Sequence, residues 1–227
     1  MPDEVWAPIQ AIRLSLKDKG LYRWPPHINL LYPFLPPDAF AEAIPLLSAA
    51  LARMSGLEIT LDALSCFGGR ARGVLYAHPS SQEETEALRR LQACLQSAVP
   101  FCDEQQKRGV FVPHLTLAHF PSRDDAERAK EALLRDWQPV TFRCDDAVHV
   151  MRRDGGGGQF ERACTLRFGA VSQPVLFVSN TFSSWCIPAS SLPFPPCSPI
   201  LDGPSCIVPD FSDRSNIHLA NTEVVLL

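Results

Sequence analysis

The segment Pro26-His27-Ile28-Asn29-Leu30 returns 87 residues later as Pro113-His114-Leu115-Thr116-Leu117. No other feature constrains the fold as strongly. A polar pair inside an apolar segment, written twice, predicts two similar halves rather than a many-unit solenoid. Laid without gaps, the repeat sets Asp38-Ala39 on Asp125-Ala126 and Leu46-Leu47 on Leu133-Leu134. After each histidine segment the sequence predicts a helix and then strands: "EITLDALSCF" and "RGVLYAHP" in the first half, "VTFRCDDAVHV" and "QFERACTLRF" in the second. "DGGGG" at 154–158 reads as a hairpin loop.

Helices are expected over 39–54, with Phe40, Ile44, Leu47 and Leu51 on one face and Pro45 as an interruption. A second is expected over 82–98 behind Ser81-x-x-Glu84, and a third over 123–136 behind Ser122-x-x-Asp125. The N-terminal "MPDEVWAPIQ" reads as acidic and then strand-like, and is not a signal peptide. The expected class is α+β: two pseudo-symmetric lobes of antiparallel sheet covered by helices, with a cleft between them.

Side chains alternate across a strand. His27 and Asn29 then share one face, and His114 and Thr116 share another, opposite Leu115, Leu117 and His119. Two lobes facing each other would set two imidazoles and two hydrogen-bond donors around one site. One imidazole takes a proton from a water or hydroxyl, and the other gives one to a leaving oxygen. The Asn29 amide and Thr116 hydroxyl hold non-bridging phosphate oxygens. No metal or cofactor is required. His78, His119, His149 and His218 lack such partners and read as structural or surface residues.

Composition narrows the surroundings. Net charge is −4, which argues against a nucleic-acid duplex as partner. No run of about 18 apolar residues predicts a membrane span, and the expected location is cytoplasmic or nuclear. The 8 cysteines show no CxxC and read as buried small hydrophobes and loop thiols. Residues 171–227 hold 8 Pro and 10 Ser but a single Lys or Arg, Arg214. They read as an irregular or disordered tail, with "VLFVS" and "TEVVLL" able to dock as edge strands. The working domain is therefore expected over 1–170.

The paired "HINL" and "HLTL" resemble the motifs of the 2H phosphoesterase superfamily, the 2′-5′ RNA ligase-like or cyclic phosphodiesterase-like proteins. "RWPPHINLLYPF" resembles the first-motif neighbourhood of a eukaryotic branch. The resemblance covers about residues 5–170. It implies a phosphodiester substrate: an RNA end, a 2′,3′-cyclic nucleotide or a 2′-5′ linkage. It implies His27 and His114 as the acid–base pair, with Asn29 and Thr116 as phosphate ligands. Asn29 departs from the family, which usually carries Thr or Ser there.

Four further positions are candidates for substrate contact. Arg23 would neutralise phosphate or be a solvated loop charge. Tyr32 lies off the His27 face unless the strand ends before Pro33. Phe67 would stack on a base or pack as a core aromatic. Arg152, with Arg153, would rim the site or simply solubilise a hairpin. The leading function is a metal-independent phosphodiesterase, a monomer acting in RNA processing or on cyclic nucleotides. A non-catalytic nucleotide- or RNA-end-binding module on the same fold is the alternative, and a scaffold with an interaction tail a third.

Overall fold

A computed structural model describes residues 3–144, 148–153, 159–169, 175–176, 219–220 and 222–226. The DGGGG loop, most of the Ser/Pro-rich tail and the side chains of Arg152 and Arg153 lie outside the described residues. In chain order the elements are α1 (Asp3–Ser15), β1 (Ile28–Leu31), α2 (Phe40–Leu51), β2 (Leu57–Leu61), β3 (Ala63–Gly69) and β4 (Arg72–His78). Then come α3 (Gln82–Ala98), α4 (Glu104–Lys107), β5 (Leu115–Phe120), α5 (Arg123–Leu133) and β6 (Val140–Cys144). The last are β7 (Val148–Arg153), β8 (Phe160–Leu166), β9 (Val175–Leu176) and β10 (Glu223–Leu226).

Eight of these strands form one antiparallel sheet in the order β3-β4-β5-β1-β10-β7-β8-β9, and β2 pairs with β6 in a second, two-stranded sheet. The halves meet at β1 and β5, where Ile28 pairs with Leu115. These two residues are also superposed by the 87-residue offset. A pseudo-two-fold axis therefore passes between them, exchanging β5 with β1 and β2 with β6.

The ungapped repeat does not extend past the histidine segments. Phe40 and Arg123, which open α2 and α5, are separated by 83 residues, four fewer than the histidines. The first half carries the extra residues in the turn before α2, which includes a short 3-10 segment at Pro37–Ala39. "EITLDALSCF" is two strands rather than one. Asp62 breaks it, its carboxylate accepting from the Ser80 amide at 2.7 Å and the Ser80 hydroxyl at 2.6 Å. The chain thereby passes from the small sheet to the large one.

The helices follow their apolar stripes and caps. Leu88, Leu91 and Leu95 of α3 are fully buried, as are Ile44, Leu47 and Leu51 of α2 to within 1%. The Ser81 and Ser122 hydroxyls accept from the Glu84 and Asp125 amides at 3.3 and 3.2 Å. The Glu84 carboxylate does not fold back on the cap; it accepts from the Thr60 amide of β2 at 2.8 Å. Behind the Ser122 cap, Gly73 allows β4 to touch the chain, since a Cβ there would lie 2.0 Å from the Ser122 carbonyl oxygen.

Two expectations are corrected here. The N-terminal segment is helical, not strand-like, because Val5, Ile9, Ile12 and Leu16 recur at helical spacing and pack on the core. "TEVVLL" is not an edge strand: β10 lies between β1 and β7, with Val224 and Leu226 fully buried and Val225 at 1%. From Val224 to Leu226 the strand is apolar without alternation, which suits a strand covered on both faces. On the β1 side of the axis, β10 stands where β4 stands on the β5 side. Its approach is fixed by the Phe34 amide donating to Thr222 and the Ala220 amide to Phe34, at 2.9 and 2.7 Å.

Candidate active site

Antiparallel partners point to the same face of a sheet. Continuing the Ile28–Leu115 register one residue each way sets His27 opposite Thr116 and Asn29 opposite His114. The two motifs thus cross as a square of four polar side chains on one face, while Ile28, Leu30, Leu115 and Leu117 enter the core. The imidazoles occupy one diagonal; such diagonal neighbours lie roughly 7–8 Å apart.

The imidazoles are oriented alike. His27 Nδ1 lies 2.7 Å from the Pro25 carbonyl oxygen, and His114 Nδ1 lies 2.7 Å from that of Val112. A carbonyl only accepts, so each ring carries its proton on Nδ1 and leaves Nε2 for chemistry. The carbonyl lies two residues upstream in both halves, so the repeat specifies the tautomer as well as the histidine. Burial pushes the His27 pKa down to about 4; the Pro25 carbonyl opposes this and the charge of Arg13 adds to it. His114 is lowered too, by burial first, against its bond to Val112, and then by the charges of His27 and His78. Both rings rest neutral at pH 7.

The walls come from neighbouring strands. Phe67 of β3 stacks on Tyr76 of β4 with centroids 4.1 Å apart, and both present edge-type contacts to His114, at 4.9 and 5.2 Å. Phe67 therefore lies within β3 against the second histidine. On the other side Trp24, Met151, Phe160 and Val225 form a small apolar cluster. Arg23 is exposed, and its backbone oxygen accepts from the Phe160 amide at 2.7 Å. Tyr32 follows the last residue of β1 and is 37% exposed. The Arg152 side chain lies outside the described residues.

His119 does not lie on the core face that strict alternation assigns it. Tyr76 pairs with Thr116, yet Val74 pairs with His119, so a bulge absorbs one residue of β5 and turns His119 back to the face of Thr116. There its Nδ1 meets Asp18 Oδ1 at 3.0 Å and its ring meets Trp24 edge-on at 6.0 Å. Asp18 Oδ2 lies 3.4 Å from Arg13 Nη2, which also donates to the Trp24 carbonyl at 3.0 Å. This fully buried arginine ties α1 to the segment leading into His27. His149 is buried on β7 with Nδ1 2.9 Å from the Thr165 hydroxyl, a structural setting.

The residue that motif reasoning missed is Glu223 of β10. Its Oε2 accepts from Asn29 Nδ2 at 2.8 Å, and its Oε1 lies 3.7 Å from His27 Nε2. The side chain is 5% exposed. Burial pushes its pKa up to about 8, with the Asn29 bond acting the other way. The signal in the sequence was a glutamate inside "TEVVLL", an expensive insertion unless the strand delivers it somewhere specific. Among the described residues, no group of three or more His, Cys, Asp or Glu side chains is placed to hold a metal ion, and no helix is long and apolar enough to cross a membrane.

A family model described as the 2′-5′ RNA ligase superfamily matches residues 1–157. No curated protein matches the chain. The matched region contains both histidine motifs and ends before β8 and β10.

Proposed function

Because the chain belongs to the 2′-5′ RNA ligase superfamily, that is, the 2H phosphoesterases, we propose that it hydrolyses a 2′,3′-cyclic phosphate or a related RNA phosphodiester by two-histidine acid–base catalysis. The observation that carries this reading is the matched pair of imidazoles, each anchored through Nδ1 and each offering Nε2. One Nε2 takes the proton of the attacking water as its oxygen bonds to phosphorus. The other, entering protonated, delivers its proton to the ribose oxygen as the phosphorus–oxygen bond breaks. Thr116, opposite His27, supplies a hydroxyl to a non-bridging oxygen. Phe67 and Tyr76 offer an aromatic surface beside His114 for a base.

The second reading, a nucleotide- or RNA-end-binding module, is favoured by one observation: the Asn29 amide is engaged by Glu223. One assay separates them. Purified protein is incubated with nucleoside 2′,3′-cyclic phosphates and with short 2′-5′ and 3′-5′ oligonucleotides, and products are resolved by chromatography. Cleavage supports the enzyme. Tight binding of the same compounds without any product overturns it in favour of the binding module.

A further inference from the structure

Asn29 stands where the second half of the repeat carries Thr116, and Glu223 lies outside the region that carries the family match; the structure joins them. At the equivalent corner of the square, Thr116 faces Tyr76 across the sheet. The site is therefore symmetric in its imidazoles and asymmetric in its second pair of groups. An asparagine at position 29 is one bond longer than threonine or serine, and its amide reaches the Glu223 carboxyl. Its own Oδ1 lies 3.5 Å from Gln105 Nε2, so the amide is oriented from both ends.

We infer that Glu223, delivered by β10 and positioned by Asn29, is a substrate-facing residue of this site and meets a phosphate oxygen beside His27. The inference rests on the phosphodiester reading above. The geometry is that of a triangle. Glu223 Oε1 and His27 Nε2 are 3.7 Å apart, too far to bond each other but close enough for one phosphate oxygen to accept from both, at about 2.8 Å, when His27 is the protonated member of the pair. A carboxyl can face a phosphate only as a donor, so the acid form is the working form. Its burial and its raised pKa, about 8, supply that form at neutral pH. The ionised form would repel the same oxygen.

The groups facing Glu223 across the sheet are Asn29 and His27 on the β1 side and Met151 of β7; His149 lies two residues along β7, opposite Val225. Arg13 adds its charge near His27. With pKa values of about 4 and 3, His27 and His149 do not titrate between pH 6.5 and 9.5 in the free protein. A change in that window is therefore assigned by comparing wild type with Glu223→Gln, whose amide donates at every pH.

The experiment measures kcat/KM for adenosine 2′,3′-cyclic phosphate from pH 6.5 to 9.5, using the full chain. Kd for the same nucleotide, by calorimetry, takes its place if wild type binds without cleaving. The ratio of wild type to Glu223→Gln is expected to be flat below pH 8 and to fall about tenfold per unit above it. Glu223→Ala is expected to lose about 10²-fold, the usual cost of one transition-state donor. The double Asn29→Ala/Glu223→Ala variant is expected to be no worse than Glu223→Ala, because the two act as a unit. Melting temperatures identify an alanine variant that fails to fold, and the glutamine arm does not depend on it. A ratio flat to pH 9.5, or a gain in turnover or affinity for Glu223→Ala, overturns the inference. Binding without cleavage sinks only the catalytic reading, and neither binding nor cleavage sinks both.

Discussion

His27 and Thr116 face each other across the junction of β1 and β5, as Asn29 and His114 do one step along. The imidazole of each half thus lies beside the polar residue of the other, and neither half contributes all four side chains.

In the proposed reaction the two imidazoles act as one unit. His27→Ala and His114→Ala are each expected to lower kcat about 10²–10⁴-fold, with the double variant little worse than either. Turnover of a 2′,3′-cyclic nucleotide measures this. Near wild-type turnover in either single variant would remove that histidine from the chemistry.

The pH dependence should lie on the acid side of an ordinary histidine pair. Both pKa values are below 6.5 in the free protein, with His27 at about 4. The form holding one proton on the pair is then most populated below pH 6.5, where kcat/KM is expected to peak. A bound phosphate anion favours imidazolium, so kcat should peak at higher pH than kcat/KM. Identical optima for the two parameters, above pH 7, would contradict the burial argument.

Stability should respond to pH in two opposed ways. His27 has a folded pKa below its unfolded value, so the unfolded chain takes up the proton first and stability falls as pH drops from about 6.5 towards 4. Glu223 has a folded pKa raised from 4.5 to about 8, so the unfolded chain loses the proton first and stability falls as pH rises through that interval. Glu223→Gln should flatten the second slope alone. Thermal melts of both proteins from pH 4.5 to 8 test this, and parallel curves would refute it.

Arg13 and Asp18 are a buried ion pair at 0% side-chain exposure. Removing one partner strands the other, at about 3–5 kcal/mol. Arg13→Met should therefore lower the melting temperature sharply, and Arg13→Met/Asp18→Asn by less than the sum of the single changes. Where Arg13→Met folds, its His27 pKa should rise, because a nearby positive charge has gone. An NMR titration of His27 reads this directly.

Truncation after residue 170 should not leave a stable domain. It removes Val224, Val225 and Leu226, each almost fully buried, and each such side chain contributes roughly 1.5–3 kcal/mol. It also leaves β1 and β7 with unpaired edges. Aggregation, or a large fall in melting temperature, is expected. A truncated protein that melts like the full chain would show that β10 is dispensable.

The contrast between elements shows what a sequence carries. Histidines 27 and 114 and the caps at Ser81 and Ser122 were legible because their signals are local: alternation over a few residues, or a hydroxyl three residues before its donor. The turn of His119 onto the site face was hidden, since a bulge adds one residue without changing composition. The four-residue slip before α2 was hidden for the same reason. Glu223 was hidden because its partner lies 194 residues away, and strand order is not encoded by periodicity. "TEVVLL" announced a strand, but its Pro- and Ser-rich surroundings argued for the rim of the sheet rather than its middle.

The position of β10 also sets an order of events. β1 is the first of the described strands to be made, yet one of its two neighbours is the last of them. During synthesis at about 5–20 residues per second, β1 waits with an open edge for roughly 10–40 seconds and β7 for roughly 4–15 seconds. Closing a loop of nearly 200 residues to seat four is slow compared with forming the β3–β4 hairpin. The side of the site that holds Asn29 is finished only after β10, some 190 residues downstream, has been made. Until then the nascent protein has a gap at the centre of its sheet, and anything that shields that gap decides how much of it reaches the native state.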